Sequence, residues 1–193
     1  MLSGTWKVIG QEELQLGKAV WEAYTADPGE LQRVLEQDTS ALPFVEQAFR
    51  LHLACYPAMN NGLGIVERTT LEKVAAGVNA PFELFRHVGD QLHQLGMGDL
   101  QYWVFLNQMC SGSHPLLKLE GAAIFPDYKQ SPDGFAKSTL ALTDYGKRVL
   151  QNEADWVSDN GINRWYGGVH LQGKAIRWRW DTDAAKLVEM DGV

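Results

Sequence analysis

A chain of 193 residues with 45% apolar and 21% charged side chains can bury roughly 70% of its unfolded surface, which excludes the disordered and fibrous classes. Its net charge of −7 lies mainly in the first two-thirds: residues 1–61 carry four Lys/Arg against eight Asp/Glu, 62–120 four against six, and 121–193 nine against ten. That balance disfavours long-range attraction to a nucleic-acid backbone. No stretch approaches the roughly 20 apolar residues of a membrane span, so no membrane association is expected.

In chain order, apolar residues at 14, 16, 20, 21 and 24 predict a helix over 12–26, ended by Asp27-Pro28-Gly29. Pro28 suits the first turn of a second helix reaching residue 37, and 42–56 gives a third, stopped by Pro57. These make one antiparallel helical unit over residues 1–60. Three more helices follow, over 65–77, 80–92 and 98–110, then two strands at 116–125 and 138–143 around a Pro/Gly/Lys/Asp loop. Three short helices followed by a hairpin form the pattern of a winged helix, here over 61–143. A single helix over 143–159, stopped at Asn160-Gly161, and an aromatic hairpin complete a C-terminal part over 144–193. The predicted class is α+β, mainly helical, in one body.

The helix over 98–110 would be the DNA-reading helix of a winged helix, yet it contains no Lys or Arg. Its apolar residues run nearly all round, which predicts burial, and DNA binding through residues 99–110 is not expected. The wing loop sets Lys129 and Lys137 against Asp127 and Asp133.

Metal ligands usually stand at i, i+4 on a helix, whereas His87 and His93 are about 120° apart around one. His52 sits on an apolar helix, and His114 precedes Pro115 in a turn. No metal or other cofactor is expected. There is no GxSxG elbow and no phosphate loop. Cys55 and Cys110 lie in apolar segments outside any CxxC spacing, as buried thiols of a reducing cytoplasm would. Glu153, Asp155 and Asp159 share the 143–159 helix and suit either acid/base work or pairing with nearby arginines.

The densest cluster of site-like residues is NGINRWYGGVHL with the following IRWRWD. Alternation predicts Trp165, Gly167, Val169 and Leu171 inward, with Ile176, Trp178 and Trp180 inward on the next strand. A loop over 172–175 then pairs Leu171 with Ile176, Val169 with Trp178 and Gly167 with Trp180. The outward face gathers Arg164, Tyr166, His170, Arg177 and Arg179, with Asp181 as its one acid. Guanidinium groups in a row suit a phosphate or carboxylate, and the same arginines suit the acids of the preceding helix. The sequence leaves both open.

The blocks QDTSALPF, FRLHLACYP, NGLGIVER, APFELFR, GDLQYW, LTDYGKRVLQNEADWVSDNGINRWYGGVHL and WRWD together resemble the C-terminal part of bacterial proteins of the family called domain of unknown function 1835. The resemblance covers nearly the whole chain. It implies a bacterial origin and a helix-rich, winged-helix-like region, and it brings no catalytic residues. Those proteins usually carry an N-terminal α/β portion that has no counterpart in this sequence, so a separate α/β domain is an expected partner. Gly64 stands where a serine helix cap is expected, a loss of only about a few tenths of a kcal/mol. The expected function is a non-enzymatic protein-interaction or regulatory module. The alternative is an anion- or nucleic-acid-binding module, or an enzyme, using the 164–181 face.

Overall fold

The computed structural model describes residues 8–121, 124–130 and 134–190. It has the expected α+β, mainly helical class. Helices α1 (Gln11–Thr25), α2 (Pro28–Leu35) and α3 (Val45–Leu53) come first. Asp27 caps α2, its carboxylate accepting from the Gly29 amide at 2.9 Å, and Pro28 takes the first turn, where its missing N–H costs nothing.

Helices α4 (Ile65–Ala75), α5 (Pro81–Gln91) and α6 (Asp99–Met109) lead into the antiparallel pair β1 (Leu117–Glu120) and β2 (Thr139–Leu142). The three-helix-then-hairpin order is present. Of the expected first strand and loop, residues 122–123 and 131–133 lie outside the described residues. One expectation for α6 fails: Tyr102, Trp103, Leu106 and Met109 are buried, but Leu100 is 42% and Val104 56% exposed. Apolar composition on nearly every side did not bring burial on every side, because neighbours cover only one flank.

The single helix expected over 143–159 is two: α7 (Asp144–Leu150) and α8 (Trp156–Asn160). Between them Asn152 takes φ +62°, a left-handed conformation that asparagine tolerates better than most residues. Buried Asn61 clamps the break, donating to the Asn152 side chain at 2.9 Å while its carbonyl accepts from the Trp156 amide at 2.9 Å.

The aromatic region forms two hairpins where one was expected. Strands β3 (Ile162–Tyr166) and β4 (Val169–Gly173) pair across a two-residue turn, Gly167-Gly168. Strands β5 (Trp178–Asp181) and β6 (Lys186–Glu189) form the second. The expected pairings of Val169 with Trp178 and Gly167 with Trp180 are therefore incorrect. Gly167 has φ +61°, the glycine signature at the first central position of a type II′ turn. A Cβ on either glycine would run into backbone at the end of α1, at the Tyr24 and Thr25 carbonyls, and the Gly168 amide donates to the Tyr24 carbonyl at 3.0 Å.

Two hydrophobic clusters hold the molecule. One joins α4–α7 and the β1–β2 hairpin around Trp103, Leu106, Leu116 and Phe135. The other joins α1–α3 to the two C-terminal hairpins around Leu31, Leu53, Tyr56, Trp178 and Trp180. β5 also runs beside residues 57–59, the Trp180 amide donating to the Pro57 carbonyl and the Met59 amide to the Trp180 carbonyl, both at 2.9 Å. No helix among the described residues is long and apolar enough to cross a membrane.

Candidate functional site

A cleft of about 520 Å³ opens where α3, α6 and β3 meet. His52 on α3 and Cys55, just past its end, are one turn apart and form one wall; Phe105 and Gln108 on α6, also three apart, form the opposite one. Arg164 and Tyr166, two apart on β3, share the strand face between them.

Beneath them, α4 supplies the residue that the sequence did not single out. Glu67 is 1% exposed, and its Oε1 receives Nη1 of Arg164 at 2.7 Å. The guanidinium also donates to Gln108 Oε1 and, at 3.4 Å, to the Tyr166 hydroxyl, and it lies 4.6 Å from the centre of the Phe105 ring. Burial works most strongly on the Arg164 charge and opposes it, but Glu67 and Tyr166 together outweigh it and hold the guanidinium more firmly protonated than usual. Glu67 Oε2 accepts no hydrogen bond and faces Gly64, where a Cβ would stand 2.8 Å from it and would also run into the Cys55 carbonyl. The serine cap expected at position 64 has no room, so close approach, not weak capping, explains this glycine.

The remaining groups are held uncharged. Burial, then the Glu67 charge, pushes the Cys55 thiol up to about 12, with Arg164 opposing. Burial raises the Tyr166 hydroxyl, a shift that Arg164 opposes, and burial lowers His52. Tyr166 stacks on Tyr56 with centroids 4.4 Å apart, and His52 meets Tyr24 edge-on at 5.1 Å. Nucleophilic cysteine chemistry needs a thiolate, which the burial of Cys55 disfavours. The cleft offers aromatic walls, neutral polar groups and one ion pair that compensates itself.

The five residues expected on one outward face are dispersed, because β3 has the opposite phase. Arg164 and Tyr166 point inward, while Trp165, expected inward, is 65% exposed. Trp165 stacks on His170, its partner across β4, with ring centres 4.6 Å apart and planes 7° from parallel. His170 Nε2 lies 2.7 Å from Asn163 Oδ1. Arg177 is exposed, donating to Glu189 at 2.7 Å with Asp27 at 3.8 Å. Arg179 is 7% exposed, bound to Asp155 at 3.0 and 3.4 Å, to the Ala58 carbonyl at 3.2 Å and to Ser158 at 3.3 Å. Each of the three arginines thus meets an acid of its own chain. Asp155 also caps α8, and Asp159 accepts from the Tyr145 hydroxyl at 2.7 Å, which gives these two carboxylates structural partners.

A second cleft, of about 690 Å³, lies on the other side of α6, between that helix, β1 and residues 124–130. Val104 borders both clefts. Among the described residues no group of three or more His, Cys, Asp or Glu side chains comes together as metal ligands would. Comparison with protein-family models, with characterised proteins and with solved structures finds no match to this chain.

Proposed function

We propose that the protein is a non-enzymatic protein-interaction module whose winged-helix-like middle presents α6 to a partner protein. The observation that carries this reading is the outer side of α6: Leu100 and Val104 stand exposed, Val104 at the border of both clefts, with Gln101, Asn107 and Gln108 on the same helix, which holds no Lys or Arg. Depletion of charge around exposed apolar groups is the character of an interface centre. The compensated charges of the 520 Å³ cleft support binding over catalysis. A separate α/β domain of the kind associated with the resembled family is the first partner to test. Co-expression with such a domain, followed by size-exclusion chromatography, should give a complex that Val104→Asp dissolves. A complex indifferent to that substitution, or tight duplex DNA binding at low salt that fades steeply as salt rises, would overturn the reading.

A further inference from the structure

We propose that the 520 Å³ cleft is a binding site for a small, uncharged, planar aromatic molecule with an amide-like edge; this goes beyond the protein-interaction reading and does not depend on it. Its size fits, since small-molecule sites span about 300–1,000 Å³ and set a few polar groups among apolar and aromatic walls. The first support is the state of Trp165. It lines the cleft and is 65% exposed, and among the described residues its one ring partner is His170, 7° from parallel at 4.6 Å. His170 is itself held, with Nε2 2.7 Å from Asn163 Oδ1. The stack covers one face of the indole and leaves the other without a ring. A flat apolar surface fixed in advance at the lip of a cleft is suited to a second flat ring.

Hydrogen-bonding capacity left unused is the second support. His52 lines the same cleft with three rings around it, Tyr24 at 5.1 Å, Tyr56 at 6.1 Å and Phe49 at 6.3 Å. Neither of its ring nitrogens holds a hydrogen bond among the described residues. Burial favours the neutral imidazole, which offers one donor and one acceptor. On the opposite wall Gln108 turns its Oε1 to Arg164, so its amide nitrogen keeps two donors with no acceptor among the described residues. An acceptor for Gln108 and either partner for His52 are what the edge of an amide supplies.

Charge decides the rest. Arg164 is the one charged side chain that lines the cleft among the described residues, and Glu67 already compensates it at 2.7 Å. A carboxylate or ammonium entering beside these rings would lose its hydration and gain no free counter-charge. The ligand is therefore neutral.

Matched probes test this on the whole chain: naphthamide and indole carboxamide, the carboxylates of the same two rings, and cyclohexane carboxamide, each titrated at about pH 7.5 and followed by backbone amide NMR shifts. The flat carboxamides should bind about tenfold or more tighter than the carboxylates and the saturated amide, with the first shifts in α3, α6 and β3. Trp165→Ala should weaken them about three- to tenfold and His52→Phe, which keeps a ring in place, about threefold or more, while Ile124→Lys in the other cleft leaves Kd within about twofold. No saturable shift with either flat carboxamide, or binding indifferent to Trp165→Ala, would overturn the proposal. Carboxylates that bind as tightly would also overturn it, by assigning the cleft to an anion at Arg164. If neither flat carboxamide binds and Trp165→Ala dissolves the complex with the α/β domain, the cleft takes a side chain of the partner: the ligand falls and the interaction reading stands.

Discussion

Replacing Glu67 by Gln leaves shape nearly unchanged and removes the only carboxylate among the described residues bonded to Arg164. Breaking a buried pair by removing one partner costs about 3–5 kcal/mol. One feature pulls this case to the low end or slightly below: the Arg164 side chain is 18% exposed and keeps Gln108, the Tyr166 hydroxyl and the Phe105 face. The expected loss for Glu67→Gln is therefore about 2–3 kcal/mol, or about 4–12 °C in Tm for a chain of this size. Arg164→Met should cost more, about 3–5 kcal/mol, because it strands a carboxylate at 2% side-chain exposure with neither oxygen holding a charged donor. The double variant Glu67→Leu/Arg164→Met should be more stable than Arg164→Met alone. Urea denaturation monitored by tryptophan fluorescence reads all three, with an unchanged m-value showing that the change is in stability. A loss below about 1 kcal/mol for Glu67→Gln, or a milder effect for Arg164→Met than for Glu67→Gln, would refute the account of a buried pair.

Gly64→Ser should destabilise by about 1–3 kcal/mol in a thermal melt, because its Cβ meets the Cys55 carbonyl and Glu67, whereas a free cap position would gain from serine. Gly168→Ala should cost at least about as much, since the new methyl runs into the Thr25 carbonyl; limited proteolysis should then cut near the β3–β4 turn before the rest unfolds. Of the two adjacent strand arginines, Arg177→Ala should change stability by less than about 1 kcal/mol and Arg179→Ala by about 3 kcal/mol or more, read as separate urea midpoints, since only Arg179 is buried. Cys55 and Cys110, with thiols pushed up to about 12 by burial, should react slowly with Ellman's reagent at pH 8 until denaturant is added. Their folded pKa values lie above the unfolded ones, so the stabilisation they add is fully present below about pH 8.5 and is lost as pH climbs towards 12.

The helices were legible because their signals are local. Asp27-Pro28 starts α2 and Gly77, at φ +90°, follows α4, as spacing and breaker residues indicate. The phase of β3 was not, because Arg164 and Tyr166 look polar in sequence, and only a partner 97 residues away makes Arg164 an inward residue. A trace of that partner was present: Glu67 lies four and seven residues before Leu71 and Val74, on the buried stripe of α4, where an unpaired carboxylate would be costly. Gly167-Gly168 carried a hairpin-turn signal at least as strong as the loop over 172–175, and reading it as the turn gives the observed register. The interruption between α7 and α8 is clamped by Asn61, which the 143–159 segment does not contain; its local trace was the left-handed Asn152 and the Asp155 cap of α8.

The division of the interior into two clusters bears on how the chain acquires its structure. Residues from Leu63 to Val149 supply the buried core of one cluster, with Leu51 and Trp156 packed at its margin, so most of that stretch can condense soon after it is synthesised. Val20 to Tyr56 cannot complete the other until Val157 to Leu187 arrive, which makes the earliest segment made one of the last to be sealed. Closing so long a loop is slow, and α1–α3 keep an apolar side uncovered for most of translation. The nascent helices are therefore the part of this protein whose apolar side waits longest for its cover.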